Sequence, residues 1–301
     1  MQSWQDPAPK DFSWPDGKKL ALSIVVNVEE GAERRIDEGD KRPEPVDELG
    51  AVPGKPIRIH GNESNYQFGI NQGAPRVLRI LNEANVPATW TVCGQALEKA
   101  RWLGKAIADR GDEPCNHGHK WNFTAFMSPD EERAFIQKGT KSILETTGRR
   151  PSGWLSRYLH TDITRRILLE QGYSYHMDDY SDDFPYWAAT EMEDGSMRPM
   201  VILPYAIDSN DMKFWLSPSF TPDMWLSYAK RTFDVLREES STLGARMMSL
   251  GLHLRIIGRP GRIWAFREFI EYANQFDDVW IATREDIASH FASNVAPSTA
   301  S

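Results

Sequence analysis

Residues 20–31 read LALSIVVNVEEG, an apolar run that ends in two acids and a glycine. Its many Val, Ile and Leu residues predict a strand buried on both faces, as in a parallel sheet. Further β-rich runs lie at 87–93, 173–177, 201–205, 246–252 and 278–282. Segments with helical spacing lie between or after them, at 75–84, 95–110, 128–147, 161–171, 222–239, 260–275 and 284–293. Strands that alternate with helices predict parallel pairing through right-handed crossovers.

This alternation predicts the fold. At least six strand–helix units in 301 residues favour a closed or nearly closed (β/α) barrel of about seven strands, forming a single domain over residues 1–301. A doubly wound open sheet is the alternative that alternation leaves open. Residues 40–74 are rich in Pro, Gly and charge and have no clear period. We interpret them as a long insertion loop, which is either a lid, a binding loop or an oligomer arm, or else a variable surface insertion.

Composition excludes several classes of protein. The 35 Lys+Arg and 43 Asp+Glu residues give a net charge of −8, which argues against a nucleic-acid or anionic-membrane binder. Cys93 and Cys115 are too few for a disulfide framework. The N-terminus lacks the pattern of a signal peptide, and no apolar run reaches the roughly 18 residues of a membrane helix. We therefore expect a soluble, cytoplasmic protein that binds neither nucleic acid nor membrane.

Chemically versatile side chains follow the predicted strands, at the point where each strand ends. They are Glu29 and Glu30 after 20–28, His117 after 112–116, Arg157 after 152–155, Asp178 and Asp179 after 173–177, Asn210 and Asp211 after 201–207, and His253 after 246–252. Any one of them alone is as readily explained as a cap, a turn or a packed core residue. Because the carboxyl ends of parallel strands share one face, which holds the active site, their common position predicts a single site.

Five strings resemble the polysaccharide deacetylase superfamily and, within it, the allantoinases and related cyclic-imide hydrolases. They are VNVEEGAE at 26–33, NHGHKW at 116–121, DDFPYW at 182–187, DSNDM at 208–212 and GLHLRIIGRP at 251–260. The resemblance spans roughly residues 15–293. It implies a distorted (β/α) barrel that hydrolyses amide bonds. It also implies a homo-oligomer, since relatives of this branch are tetramers.

The resemblance implies roles for individual residues. In sugar deacetylases the first acid is the general base, and the second acid binds a divalent metal such as Zn²⁺ with two histidines four residues apart. Here the base falls on Glu29 and the ligands fall on Glu30, His117 and Trp121, whose indole has no lone pair for a metal. Two protein ligands are fewer than the three usual for catalytic zinc, so we expect no bound metal. If one binds, its ligands would be Glu30, His117 and His119.

A second departure from the deacetylases lies after Pro151. The arginine that orients the base in those enzymes falls on Leu155, and Arg157 lies two positions further on. Arg157 either takes over this orienting role or binds substrate. The loop 156–162 is unlike that of the allantoinase branch, which leaves the exact substrate open.

Amide hydrolysis needs an activated water, a stabilised oxyanion and a proton for the leaving nitrogen. Our hypothesis is that Glu29 takes the proton from water and His253 delivers one to the nitrogen, each contributing about 10²–10⁴-fold. Without a metal, the indole N–H of Trp121, His117 and nearby backbone N–H groups are the candidate donors to the oxyanion. We therefore predict Glu29, His253 and His117 as catalytic residues.

The chemistry favours a cyclic ureide or imide, because a second carbonyl on the nitrogen makes it a better leaving group. The predicted substrate-binding residues are Glu30, Trp121, Arg157, Asn210, Asp211 and either Arg255 or Arg259. The sequence thus predicts a hydrolase that opens a small cyclic amide such as allantoin. Two alternatives stay open, a metal-dependent de-N-acetylase of a sugar or oligosaccharide and a barrel that binds a small ring without catalysis.

Overall fold

A computed structural model describes residues 9, 11–45, 54–205 and 207–297 of the chain. Within them, nine strands form one sheet. They are β1 (Leu20–Val28), β2 (Thr89–Val92), β3 (Glu113–Asn116), β4 (Gly153–Trp154), β5 (Tyr175–His176), β6 (Tyr186–Glu191), β7 (Met197–Ile202), β8 (Arg246–His253) and β9 (Val279–Ile281). Their order is β6-β7-β5-β4-β3-β2-β1-β8, and β9 pairs with the start of β1. The curled sheet is a distorted barrel, which confirms the predicted fold class.

Ten α-helices lie in the described part of the chain. They are α1 (His60–Phe68), α2 (Ala74–Ala84), α3 (Gly94–Lys99), α4 (Arg101–Asp109), α5 (Pro129–Thr147), α6 (Thr164–Glu170), α7 (Pro222–Thr242), α8 (Leu254–Ile257), α9 (Ile263–Ala273) and α10 (Arg284–Asn294). None of these helices has the length and apolar character needed to span a bilayer.

Strand β1 is the centre of the sheet and is buried along its whole length, as predicted. It pairs in parallel with β8 on one side and with β2 and β9 on the other. Its side chains alternate between two cores, so that Leu22 and Val26 pack in one and Ala21 and Val25 in the other. The same alternation places the strand-end acid Glu29 on the Val25 face.

The edge of the sheet differs from the sequence prediction. The described part of the chain has nine strands rather than about seven. Strand β6, which was not predicted, pairs antiparallel with β7. Along β6, Ala188 and Thr190 are buried whereas Ala189 and Glu191 are exposed. This half-buried alternation is typical of an antiparallel edge, and it lacks the continuous apolar run by which the other strands were recognised. The helix predicted over 95–110 is also interrupted, between α3 and α4.

The segment 40–74 is not a structureless loop, so that prediction is wrong for its second half. It contains α1 and a π-helical turn that leads into α2, while residues 46–53 lie outside the described residues. The buried residues of α1 include Asn62 and Tyr66 rather than aliphatic ones, so no apolar period marks the helix. Asn62 Nδ2 donates 3.1 Å to the carbonyl oxygen of Glu44, which ties the two parts of the segment together.

Candidate active site

A cavity of about 370 Å³ opens at the carboxyl ends of the parallel strands. It is lined by Asn27, Glu29, His117, Trp121, Leu155, Ser156, Tyr158, Tyr180, Tyr205, Ile207, Asn210, Met212, Leu216 and His253. Most of these side chains are apolar or aromatic, and the polar ones converge at the ends of β1, β3 and β8. This is the position at which parallel α/β folds hold their active sites, and the volume suits a small ligand.

Glu29 follows β1 and is fully buried. Its Oε2 accepts a hydrogen bond of 2.6 Å from Arg255 Nη1. Its Oε1 accepts no hydrogen bond from the described residues, although His253 Nε2 is 3.3 Å and His117 Nε2 is 3.8 Å away. Burial by itself raises the pKa of Glu29, but the charges of Arg255 and His253 outweigh burial and hold it well below the usual value. Glu29 is therefore an ionised carboxylate with one oxygen available to the cavity, as a general base requires.

His253 ends β8 and is oriented by Asp211. Asp211 Oδ1 lies 2.7 Å from His253 Nδ1, and its Oδ2 accepts from the backbone N–H groups of His253 (2.8 Å) and Ile257 (3.1 Å). Burial by itself lowers the pKa of His253, but Glu29 and Asp211 outweigh burial and raise it to about 10. The ring is therefore an imidazolium at neutral pH, and its Nε2 proton faces Glu29.

His117 has a fixed tautomer. Its Nδ1 lies 2.6 Å from the carbonyl oxygen of Leu155, which can only accept, so Nδ1 carries the hydrogen. In the neutral ring, Nε2 then offers a lone pair on the side of Glu29. The ring of Trp121 packs against this imidazole with centroids 4.6 Å apart and covers one of its faces.

Arg255 places a second positive charge beside Glu29, in addition to His253. Its Nη1 lies 2.6 Å from Glu29 Oε2 and 3.5 Å from Glu30 Oε1, and its backbone N–H donates 2.9 Å to the same Glu30 oxygen. The guanidinium carbon lies 4.4 Å from the centre of the Tyr66 ring, on α1. Arg255 thus orients the acid pair from the end of β8, whereas Leu155, at the deacetylase arginine position, lines the cavity.

Comparison of the sequence with known proteins identifies the family of the chain. The sequence profile named "Polysaccharide deacetylase" matches residues 64–176. A relative from Schizosaccharomyces pombe, named "Putative polysaccharide deacetylase", is 34% identical over 295 residues, which cover 91% of each chain. The chain belongs to the polysaccharide deacetylase family. It is therefore a hydrolase of carbon–nitrogen bonds.

Two solved structures from this family are similar along nearly the whole chain. One is a probable polysaccharide deacetylase from Pseudomonas aeruginosa PAO1, at 37% identity and a TM-score of 0.87. The other is a Puue allantoinase, at 36% identity and a TM-score of 0.87. Each match covers 93% of both chains. The names of the relatives are thus divided between deacetylases and an allantoinase.

The metal position of the deacetylases lacks the residues to hold the ion. Trp121 occupies the position of the second histidine and has no lone pair to offer. Both carboxylate oxygens of Glu30 accept backbone N–H groups, from Arg255 and Glu29. His119 Nε2 lies 3.2 Å from Glu98, and His119 does not line the cavity; its role as an alternative ligand stays a prediction. The described donors therefore do not fit the metal of this family.

A different set of side chains could hold a metal ion. Ligand atoms of His160, His176 and Asp178 all lie within 4.8 Å of one another. His176 Nε2 and Asp178 Oδ2 are 2.5 Å apart, and Asp178 Oδ2 also accepts 2.8 Å from the backbone N–H of Ser156. This set lies behind Ser156, and none of its three residues lines the cavity.

Arg157 lies behind Trp121 rather than in the cavity. Its guanidinium is 4.5 Å from the Trp121 ring and 4.4 Å from the Phe123 ring, and it forms a buried ion pair with Glu44. It also donates to the carbonyl oxygen of Trp121. These contacts show that Arg157 holds Trp121 in place. Its orientation of the base and its binding of substrate stay predictions.

Three other predicted substrate-binding residues lie outside the cavity wall, whereas Asn210 and Trp121 line it. Burial raises the pKa of Glu30 to about 6, and this carboxyl faces the protein backbone. Asp211 is fully buried behind the histidine of β8. The guanidinium of Arg259 stacks 3.8 Å from an aromatic ring of α1. Glu30, Asp211 and Arg259 therefore do not line the cavity, and their contact with substrate stays a prediction.

The cavity residues that were not predicted from the sequence include Asn27 and Tyr205. Asn27 lies two residues before Glu29, so strand alternation alone places both side chains on one face of β1. Tyr205 ends a predicted strand, the position that singled out the other site residues. Glu44 and Tyr66, which hold the two buried arginines, carry no local sequence signal.

Proposed function

We propose that this protein opens a small cyclic amide, such as a cyclic imide or ureide, by attack of water on a ring carbonyl. One observation carries the proposal. Glu29 Oε1 is buried at the cavity wall, accepts no well-aligned hydrogen bond from the described residues and lies 3.3 Å from His253 Nε2. A carboxylate base beside an imidazolium acid supplies both proton transfers that amide hydrolysis requires.

The reaction uses these groups in sequence. A water molecule donates one hydrogen bond to Glu29 Oε1 and one to His117 Nε2. Glu29 Oε1 removes a proton from this water, and the water oxygen adds to the carbonyl carbon. The resulting tetrahedral oxyanion collapses, the ring C–N bond breaks, and His253 Nε2 gives its proton to the leaving nitrogen. Asp211 keeps the imidazolium in the orientation for this transfer. The products are a carboxylic acid and an amide nitrogen at the two ends of the opened ring.

The shape of the site supports a ring rather than a polysaccharide chain. The cavity holds about 370 Å³, and most of the side chains that line it are apolar or aromatic. A ring nitrogen between two carbonyls leaves more readily than the nitrogen of an acetamide, which suits a site whose residues do not fit the metal of the deacetylases. The similarity to an allantoinase over 93% of the chain also supports a cyclic substrate.

Hydrolysis of a substrate panel tests the proposal. The panel contains allantoin, hydantoin, dihydrouracil, succinimide, phthalimide and an N-acetylglucosamine oligomer, each with and without prior chelation, with bound metal quantified in the same preparation. We expect opening of at least one ring that survives chelation. Activity on the acetylated sugar alone, abolished by the chelator, would show that the protein is a metal-dependent deacetylase instead.

Glu29→Gln separates catalysis from binding. We expect a loss of turnover of at least about 10²–10⁴-fold, because the amide cannot accept the proton of water, with ligand affinity retained. Glu113→Gln is the matched control, since Glu113 is also a fully buried strand glutamate but lies outside the cavity. Retained turnover in Glu29→Gln would remove Glu29 as the base.

A further inference from the structure

The hydroxyl of Tyr205 accepts hydrogen bonds from two buried amides. Asn27 Nδ2 lies 3.2 Å and Asn210 Nδ2 lies 3.1 Å from the hydroxyl oxygen. Neither amide can be flipped. Asn27 Nδ2 also donates to the carbonyl oxygen of Leu252, and Asn210 Oδ1 accepts from the N–H of Met212. Tyr205 is therefore the acceptor in both bonds.

The hydrogen of this hydroxyl has a restricted direction. Because two amides occupy the acceptor side of the oxygen, its hydrogen points elsewhere. No described residue accepts it. Tyr205 and both amides line the same cavity as Glu29 and His253, so a bound ligand is the acceptor that the site leaves for this hydrogen.

The hydroxyl is held firmly at this place. The backbone of β8 passes directly behind it, and a Cβ on Gly251 would lie 2.3 Å from the hydroxyl oxygen. Any side chain at Gly251 would push Tyr205 out of position, which gives a physical reason for a glycine two residues before His253. Donors that are fixed before the reaction stabilise developing charge most effectively.

We propose that the Tyr205 hydroxyl donates a hydrogen bond to the substrate carbonyl oxygen and stabilises the oxyanion formed when water adds. This inference rests on the proposed function, since it requires a tetrahedral oxyanion in the cavity. The two amides that donate to the oxygen polarise the O–H bond and strengthen its donation. Burial raises the pKa of Tyr205, so the hydroxyl keeps its hydrogen throughout the working range.

Tyr205 takes over a role that the sequence analysis gave to other donors. His117 carries its hydrogen on Nδ1, which faces Leu155, so the neutral ring has no hydrogen on Nε2 to donate. The indole of Trp121 lies tilted by 50° against the ring of His117, and its face packs on the guanidinium of Arg157. Only the hydroxyl combines a place in the cavity wall with two polarising amide donors.

Tyr205→Phe removes the donor and keeps the ring. We expect kcat on a cyclic amide to fall about 10²–10³-fold, the usual cost of losing one oxyanion donor, with KM changed by less than a few-fold. The matched control is Tyr173→Phe, because the buried Tyr173 hydroxyl also accepts from an asparagine, Asn116 Nδ2 at 2.6 Å, but lies outside the cavity. Equal losses of kcat in the two variants, or an unchanged kcat in Tyr205→Phe, would overturn the inference.

A spectroscopic measurement distinguishes this inference from the proposed function. In the Glu29→Gln background, isotope-edited infrared spectra of bound succinimide or phthalimide report the carbonyl frequency. We expect a lowered frequency, and Tyr205→Phe should return it toward the value in water. If the wild-type enzyme opens rings but the frequency does not respond to Tyr205→Phe, the inference fails and the function stands. If no ring is opened, the function fails and the inference fails with it.

Discussion

Arg255→Met tests whether one guanidinium holds the catalytic base. Arg255 is 2% exposed and lies 2.6 Å from Glu29 Oε2 and 3.5 Å from Glu30 Oε1. Methionine is flexible and apolar, so it can pack under the Tyr66 ring and the change removes mainly the charge and its hydrogen bonds. Breaking a buried ion pair costs about 3–5 kcal/mol, and we expect a loss of this size in the free energy of unfolding at about pH 7.

The pH dependence of this loss identifies its source. In the wild type, the pKa of Glu29 lies well below its ordinary value of 4.5, so this carboxyl contributes stability above pH 4.5 that is lost as the pH falls through the folded-state pKa. Without Arg255, burial raises the pKa of Glu29 and the contribution disappears. The difference in stability between wild type and Arg255→Met should therefore narrow as the pH falls from about 7 to about 4.

Urea unfolding at several pH values measures this difference, and Arg76→Met is its control. Arg76 also packs on a ring of α1, 5.6 Å from the centre of Phe68, and donates 2.6 Å to the carbonyl oxygen of Gly258, but it contacts neither acid. We also expect Arg255→Met to lower turnover by about 10²-fold, because Glu29 loses its fixed orientation. A stability loss below about 1 kcal/mol, or one that is equal at both pH values, would refute this account of Arg255.

Two further predictions concern the acid and the base. Turnover should fall below pH 4.5 and again near pH 10 and be constant between, because Glu29 acts ionised and His253 acts protonated. A fall near pH 6.5 on the basic side of the kcat/KM profile would contradict the ion pair of Glu29 and His253. Asp211→Asn should lower kcat by about 10²–10⁴-fold and shift the basic limb of the profile to lower pH, because the charge of Asp211 helps to raise the pKa of His253. A basic limb at unchanged pH would show that Asp211 acts only through packing.

The position of the site could be predicted from the sequence because it depends on two local rules. The apolar run of β1 is continuous, so its bounds and its burial follow from the sequence pattern. The carboxyl ends of parallel strands converge, so Glu29, His117 and His253 were predicted at one site. In the structure the Nε2 atoms of the two histidines lie 3.8 Å and 3.3 Å from Glu29 Oε1.

The partners of these residues could not be predicted, because they depend on contacts between distant parts of the chain. Arg157 reaches Glu44, 113 positions away, and Arg255 reaches Glu29, 226 positions away. Both arginines follow strands, and their local sequence is as compatible with substrate binding as with a structural role. Asp211 was placed in the cavity for the same reason, although its carboxylate satisfies backbone N–H groups behind His253.

The segment 40–74 explains how a deacetylase fold can work with this altered set of residues. Replacing a metal-binding histidine by Trp121 removes both a ligand and the positive charge that the ligand would hold. Arg255 now supplies the positive charge beside the acid pair, and the ring of Tyr66 in the segment covers its guanidinium. Arg157 holds the indole of Trp121 and forms an ion pair with Glu44 of the segment. A variable surface insertion would leave both arginines without these partners. The segment is therefore part of the architecture of the active site.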